Sequence, residues 1–141
     1  MRVVIGEDQA LLREGIARLL EDAGFEVVGQ AGNAEALLEL VDETLPELAV
    51  VDIRMPPTYN DEGLRAAHEI RRRYPNTGVL VLSSYIDAVS AIDLFGDDPK
   101  GVGYLLKERV ADVDEFTAAV RRVAEGGTVV DELIVDALPG G

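Results

Sequence analysis

Five short apolar runs, separated by segments with helical spacing, constrain the fold of this chain more than any other feature. The runs are Val3 to Ile5, Val27-Val28, Leu48 to Val51, Val79 to Leu82 and Val102 to Leu106. Consecutive rather than alternate residues are apolar, which is typical of strands covered on both faces. The alternation of these strand-like runs with helical segments therefore predicts a parallel α/β sheet, doubly wound, with helices on both faces.

The segments between and after these runs predict five helices. Their apolar residues recur three or four apart: Leu12, Ile16, Leu19, Leu20 and Ala23; Leu37, Leu38 and Val41; Leu64, Ala67 and Ile70; Val89, Ile92 and Phe95; Val113, Phe116, Val120 and Val123. Gly24 and Gly126-Gly127 are the stop signals of the first and fifth helices. We expect the first helix's Leu11 and Ile16, and the fifth helix's Phe116 and Val120, to be core rather than interface.

The chain predicts one domain, residues 1–126, followed by a short extension, residues 127–141. Thr128-Val129-Val130 reads as a strand-like piece and Glu132 to Leu138 as a helix. Pro139-Gly140-Gly141 reads as the start of a linker to a C-terminal domain that lies outside this chain.

Composition restricts the partners of these residues. The formal net charge is −14, which argues against direct contact with nucleic acid or an anionic bilayer, because both need Lys and Arg. No apolar run approaches the length of a membrane span, so no membrane partner is expected. The chain has no cysteine, which excludes disulfides and thiolate metal sites and is consistent with a reducing cytosol.

Polar residues stand at the carboxyl ends of four of the runs. Glu7 and Asp8 follow the first run, Asp52 the third, Ser83 and Ser84 the fourth, and Lys107 the fifth. In a sheet of order 2-1-3-4-5, strands one and three are neighbours at the switch point, where such sheets bind ligands. Glu7, Asp8 and Asp52 are then expected to converge there.

Carboxylates so close together need a cation. Two at about 4 Å repel by roughly 4 kcal/mol at an effective dielectric constant of 20. Mg²⁺ fits best, with Mn²⁺ as a substitute, because it binds carboxylate, water and phosphate oxygens. Next to a metal and the ammonium of Lys107, the carboxylate of Asp52 could attack a phosphoryl group and carry it as an acyl phosphate. The Ser83 hydroxyl would then donate to that group.

Several of these residues also have ordinary interpretations. Asp8 could cap the first helix, whereas no helix starts directly after Asp52. Tyr104 could be a core residue, and Lys107 a solvated one. His68 falls on the third helix away from the strand ends and is read as a helix-surface residue.

The sequence around these positions resembles the receiver domain of two-component response regulators over roughly residues 2–126. The resemblance rests on Glu7-Asp8, Asp52-Ile53-Arg54-Met55-Pro56, Ser83 and Gly103 to Lys107. It implies a flavodoxin-like (βα)5 fold with a five-stranded sheet. It also implies that Asp52 accepts phosphate from a histidine kinase, and that Glu7, Asp8, Asp52 and the backbone carbonyl of Arg54 hold Mg²⁺.

The remaining roles follow from the same resemblance. Ser83 would supply the switch hydroxyl, Lys107 the ammonium and Tyr104 the aromatic side chain that follows the hydroxyl. Ser84 and Tyr85, with Arg54, flank the phosphate and would modulate its hydrolysis. Gly63 departs from the pattern, lying eleven rather than eight residues after Asp52, so the loop from Pro57 to Glu62 is longer. Glu108 replaces a proline often found after the lysine.

The segments Leu12 to Gly15, Gly103 to Lys107 and Gly126 to Thr128 are similar to the NarL/FixJ class, whose members usually carry a LuxR-type helix-turn-helix. This implies a cytoplasmic, non-enzymatic signalling domain that forms a homodimer on phosphorylation and reaches DNA only through another domain. Two alternative functions are compatible with a fold of this kind. One is a pseudo-receiver that dimerises without phosphate; the other is an aspartyl phosphatase, which would usually have a second aspartate where Arg54 stands.

Overall fold

A computed structural model describes residues 1–138 and confirms the predicted alternation of strands and helices. The strands are β1 Arg2–Gly6, β2 Glu26–Ala31, β3 Leu48–Asp52, β4 Gly78–Ser83, β5 Val102–Leu106 and β6 Thr128–Val130. The helices are α1 Ala10–Asp22, α2 Ala34–Thr44, α3 Glu62–Arg73, α4 Ala88–Phe95, α5 Val113–Ala124 and α6 Glu132–Asp136, with a 3₁₀ helix at Lys107–Ala111. The 3₁₀ helix was not predicted from the sequence.

The sheet is parallel throughout, in the order β2-β1-β3-β4-β5-β6. Successive strand residues face opposite sides, so the chain builds two apolar layers. Val3 and Ile5 pack with α1 and α5, whereas Val4 packs with α2 and α3 on the other side. Both faces of the inner strands are therefore buried, as their uninterrupted apolar runs predict.

The pairing of β1 with β3 creates the expected switch point. Ile5 lies opposite Val50, and Gly6 lies opposite Val51. The chain leaves β1 towards α1 on one face and leaves β3 towards α3 on the other. A crevice therefore opens above the carboxyl ends of these two strands, next to Glu7 and Asp52.

The C-terminal extension belongs to the sheet. The predicted strand-like piece is β6, which pairs in parallel with β5 and adds a sixth strand to the five that were expected. The predicted helix from Glu132 to Leu138 is shorter, ending at Asp136, and its Ile134 is fully buried. The linker predicted at Pro139 to Gly141 lies outside the described residues.

Some apolar residues do not face the core as expected. Ile16, Phe116 and Val120 are fully buried, but Leu11 is 89% exposed, so its assignment to the core was wrong. α4 forms where it was predicted, yet Val89 and Ile92 are exposed, and Ala91 and Leu94 form its buried face instead.

His68 lies on the helix surface as predicted, with Nε2 3.3 Å from Oδ2 of Asp93. Within the part of the chain that the structure describes, no helix combines the length and the apolar character needed to cross a bilayer.

Candidate functional site

Three carboxylates meet at the switch point. Glu7 directly follows β1, Asp8 is the next residue, and Asp52 is the last residue of β3. One oxygen from each lies within 4.8 Å of the others. Glu7 and Asp52 are buried, while Asp8 is partly exposed. The structure thus brings together the three side chains that the strand ends predicted.

Backbone contacts fix Glu7 in this crevice. Its N–H donates to the carbonyl of Ala31 at 3.0 Å, and its own carbonyl accepts from Nη1 of Arg13 at 2.7 Å. Its Oε1 accepts from the N–H of Gln9 at 3.1 Å. Gln9, not Asp8, is the N-cap residue of α1, and it makes no side-chain cap bond. The capping role considered for Asp8 is therefore not used, and its carboxylate is free to serve the crevice.

Lys107 lies at the carboxyl end of β5 and joins two of the carboxylates. Its Nζ is 3.2 Å from Oδ2 of Asp52 and 3.2 Å from Oε2 of Glu7. The Lys107 side chain is 19% exposed and that of Glu7 1%, so the ion pair is largely shielded from solvent. The first residue of the 3₁₀ helix thus supplies a positive charge in direct contact with two of the carboxylates.

The protonation equilibria show a surplus of negative charge. Burial, followed by the charge of Asp52, raises the pKa of Glu7 to about 7. Burial also raises the pKa of Asp52, although the charge of Lys107 opposes the shift. For Lys107, burial would lower the pKa, but the charges of Asp52 and Glu7 outweigh it and raise the pKa. One ammonium therefore does not balance the carboxylates.

This donor set fits a hard divalent cation. All the candidate side-chain ligands are carboxylate oxygens, which Mg²⁺ and Mn²⁺ accept. Oε2 of Glu7 is buried and receives no hydrogen bond within residues 1–138, although Nζ of Lys107 is close. A cation bound to Glu7, Asp8 and Asp52 would satisfy this oxygen and lower the pKa of Glu7.

The other predicted residues surround the crevice. The Ser83 hydroxyl donates to the carbonyl of Tyr85 at 2.7 Å and accepts from its N–H at 3.1 Å. The guanidinium carbon of Arg54 lies 4.1 Å from the centre of the Tyr85 ring, so these two side chains stack across the mouth of the site. Ser84 is exposed.

Tyr104 is the largest fully buried side chain, and its hydroxyl has no hydrogen-bond partner among the described residues. Tyr104 therefore lies in the core in this structure. A buried hydroxyl without a partner is unfavourable, and the hydroxyl of Ser83 is the neighbouring group that could supply one.

The longer loop after Asp52 is closed by Glu62, whose role sequence reasoning missed. Oε2 of Glu62 accepts from both the N–H and the hydroxyl of Thr58, at 2.7 and 2.6 Å, and Oε1 accepts from the N–H of Asn60 at 3.1 Å. The hydroxyl of Thr58, followed by its N–H, lowers the pKa of Glu62 to about 2. The polar sequence Thr58 to Glu62 is the only signal, and it does not show which atoms bond.

A second missed pair, Arg109 and Asp131, lies behind Lys107. Oδ2 of Asp131 accepts from Nε of Arg109 at 2.9 Å and from the N–H of Leu106 at 3.0 Å. Oδ1 accepts from Nη2 of Arg109 at 3.0 Å and from the N–H of Leu133 at 3.0 Å. An aspartate before a helical segment signals an N-cap, but its pairing with residues of the fifth strand end depends on β6 joining the sheet.

The arrangement has a clear chemical capacity. Asp52 offers a buried carboxylate oxygen as a nucleophile, and Lys107 offers a fixed positive charge beside it. Fixed cations next to a transferring phosphoryl group stabilise the charge on its equatorial oxygens. The site therefore suits phosphoryl transfer to Asp52.

Comparisons with known proteins identify the family of this chain. The family model of the response regulator receiver domain matches residues 3–121. The chain is 36% identical over 131 residues to the transcriptional regulatory protein DegU of Brevibacillus brevis, covering 92% of this chain and 52% of that protein. It is also 36% identical over 141 residues to the probable transcriptional regulatory protein NarL of Mycobacterium tuberculosis, covering 99% of this chain and 62% of that protein. The chain thus spans little more than half the length of these relatives.

Solved structures give the same result. The receiver domain of the putative response regulator NarL from M. tuberculosis superposes with a TM-score of 0.74 at 34% identity, covering 89% of this chain and 96% of that chain. A LuxR-family two-component response regulator from Aurantimonas superposes with a TM-score of 0.80 at 25% identity, covering 96% and 92%. The fold, the convergent site and these relatives together show that the chain belongs to the response regulator receiver domain family, with NarL- and DegU-type regulators among its relatives.

Proposed function

We propose that this domain accepts a phosphoryl group from a histidine kinase on Asp52, in the cytoplasm and in a reaction that depends on Mg²⁺. The observation that carries the proposal is the ammonium of Lys107, placed 3.2 Å from Asp52 and 3.2 Å from Glu7 in a buried crevice. This geometry supports the proposal because it holds a positive charge beside the carboxylate before any phosphoryl group arrives.

The transfer forms one bond and breaks another. A carboxylate oxygen of Asp52 attacks phosphorus as the phosphorus–nitrogen bond of the donor imidazole breaks, and the imidazole nitrogen keeps the electron pair. Lys107 stabilises the charge on the phosphoryl oxygens throughout. A divalent cation held by Glu7, Asp8, Asp52 and the carbonyl of Arg54 would supply further charge neutralisation at the same oxygens.

The proposed output is a shift between two conformations. In the structure the Ser83 hydroxyl is bonded to the backbone of Tyr85, and the Tyr104 ring is buried. A phosphoryl group on Asp52 would offer Ser83 a charged acceptor in place of that carbonyl, and Tyr104 would follow into the space released. The changed surface would favour a homodimer and regulate a DNA-binding domain in a longer protein.

The first test is direct phosphorylation. The protein is incubated with acetyl phosphate and Mg²⁺ and weighed intact beside Asp52→Asn, with Asp22→Asn on the exposed end of α1 as the matched control. We expect one phosphoryl group on the wild type and on the control, and none on Asp52→Asn. A wild type that gains no phosphate would refute the proposal and favour a phosphorylation-independent dimerisation module.

The second test addresses the output. Molar mass in solution is measured by light scattering before and after phosphorylation, at the same protein concentration. A doubling that depends on Asp52 is the expected result. An unchanged mass would show that phosphorylation does not drive dimerisation of this domain by itself.

A further inference from the structure

Lys107 reaches the crevice from a turn that is fastened on both sides by one carboxylate. Asp131 accepts from the N–H of Leu106, the residue before Lys107, and from the guanidinium of Arg109, two residues after it. Its side chain is completely buried. The position of Nζ relative to Asp52 is therefore tied to a residue that follows β6, beyond the matched family region of residues 3–121.

The interaction has the features of a rigid attachment. Arg109 binds Asp131 through Nε and Nη2, one to each oxygen, a bidentate geometry that fixes orientation as well as distance. Burial would raise the pKa of Asp131, but the bonds from Arg109, Leu106 and Leu133 outweigh it and lower the pKa. The carboxylate is thus charged at neutral pH, and every bond it makes is charge-assisted.

Asp131 also holds the C-terminal segment, Thr128–Asp136, against β5 and the cluster around Tyr104. Asp131 caps α6 through the N–H of Leu133, and its own N–H donates to the carbonyl of Tyr104 at 2.9 Å. Ile134 of α6 lies in the same apolar cluster as Tyr104 and Leu94 of α4. The segment therefore touches both Lys107's turn and the residue predicted to move with Ser83.

We propose that Asp131 is a positioning residue for Lys107, and that through it the C-terminal segment responds to the occupancy of the Asp52 crevice. This inference rests on the proposed phosphorylation of Asp52. A phosphoryl group there attracts Lys107, the turn at Leu106 to Arg109 moves with it, and the bonds to Asp131 carry the displacement to α6. By linkage, the position of the segment that the phosphorylated state favours must in turn stabilise the phosphorylated state.

The kinetic test uses Asp131→Asn, which keeps the shape of the side chain but loses its charge. The rate of phosphorylation by acetyl phosphate is measured over a range of Mg²⁺ concentrations. We expect the maximal rate to fall about tenfold, because Lys107 is displaced. The Mg²⁺ concentration for half-maximal rate should stay the same or fall, because the three carboxylates remain and the ammonium that competes with the cation is held less closely to them. A general loss of structure would instead lower the maximal rate and raise the Mg²⁺ concentration for half-maximal rate together.

Two further variants complete the kinetic test. Arg109→Gln leaves the backbone bonds to Asp131 in place and should give a smaller loss of maximal rate. Asp42→Asn makes the same chemical change at another aspartate that accepts a hydrogen bond, from the hydroxyl of Tyr74 at 2.5 Å near the ends of α2 and α3, and should be phosphorylated at the wild-type rate. Asp131→Asn reacting as fast as the wild type would overturn the inference and leave the proposed function intact. A wild type that does not react would overturn both.

The coupling has a spectroscopic readout that does not depend on turnover. Beryllium fluoride with Mg²⁺ is added to ¹⁵N-labelled protein as a phosphoryl mimic, and the amide resonances of Leu106 and Leu133 are followed. Both are expected to shift in the wild type. In Arg109→Gln the Leu106 resonance should still shift, and the shift of Leu133 should shrink. An α6 that is unaffected in the wild type would refute the response of the C-terminal segment.

Discussion

No side chain fits at Gly63, which follows the lengthened loop after Asp52. A Cβ at this position would lie 1.8 Å from the carbonyl oxygen of Asp52, and the N–H of Gly63 donates to the carbonyl of Ile53 at 2.8 Å. The start of α3 therefore presses on the backbone of the proposed phosphoacceptor. The three added residues were visible in the sequence, but this contact depends on the path of the loop.

Gly63→Ala should therefore be severely destabilising. The added methyl group meets backbone, which cannot turn aside as a side chain can, so we expect a loss of at least about 2 kcal/mol in the free energy of unfolding. Urea unfolding followed by circular dichroism measures it.

Gly15→Ala is the control for this substitution, because a Cβ there meets nothing within 4 Å and lies inside α1. It should raise stability by roughly 0.5–1 kcal/mol. Equal effects of the two substitutions would contradict the contact with Asp52.

Among individual residues, the side chains at the strand ends were the most predictable part of the candidate site. Glu7, Asp8, Asp52 and Lys107 each follow an apolar run, and parallel strands place their carboxyl ends at one edge of the sheet. The supporting residues were not predictable. Glu62 and Asp131 each accept from two backbone N–H groups, and the sequence does not show which N–H groups a fold leaves available.

At the level of elements, the extension after α5 is a working part of the domain. Three residues of β6 are too few for a periodic pattern, and their parallel pairing with β5 is a long-range contact that the sequence leaves open. The prediction of which α4 residues face the core was wrong for a related reason. Val89 and Ile92 are the conspicuous apolar residues, but the neighbouring sheet accommodates the smaller Ala91 together with Leu94.

Ile134→Ala tests whether α6 is part of the core. The side chain is fully buried against the cluster that contains Tyr104, so its truncation should cost about 2–5 kcal/mol. Thermal unfolding monitored by circular dichroism gives the comparison.

Leu133→Ala is the control, because Leu133 precedes Ile134 in the same helix and is 39% exposed. It should change the free energy of unfolding far less. If both substitutions were equally mild, α6 would be a loosely attached appendage and not a core element.

The net negative charge of the whole molecule favours the binding of a cation in the crevice. The formal charge of −14 raises the local concentration of divalent cations, and the crevice concentrates three carboxylates within it. Binding to the folded state alone stabilises it, by about 2.7 kcal/mol when the free cation is 100-fold above its dissociation constant.

Mg²⁺ should therefore raise the unfolding midpoint of the wild type in a concentration-dependent way, beyond the effect of NaCl at equal ionic strength. Asp8→Asn should lose most of this gain, because it removes one proposed ligand while leaving Glu7 and Asp52 in place. Asp22→Asn lowers the overall charge equally and should keep the gain. Equal gains in the two variants would indicate diffuse screening without a specific site.

The pairing of β6 with β5 also has a practical consequence for protein engineering. A fragment cut at residue 121, where the family match ends, would lose the strand that covers β5 and the carboxylate that accepts from Leu106 and Arg109. Chimeras that graft a new output domain onto this receiver should therefore join the two sequences after Leu138, because the N–H groups of Ala137 and Leu138 still donate to carbonyls of α6. A junction there transfers the whole hydrogen-bonded unit, whereas an earlier one would exchange a structural strand for a linker.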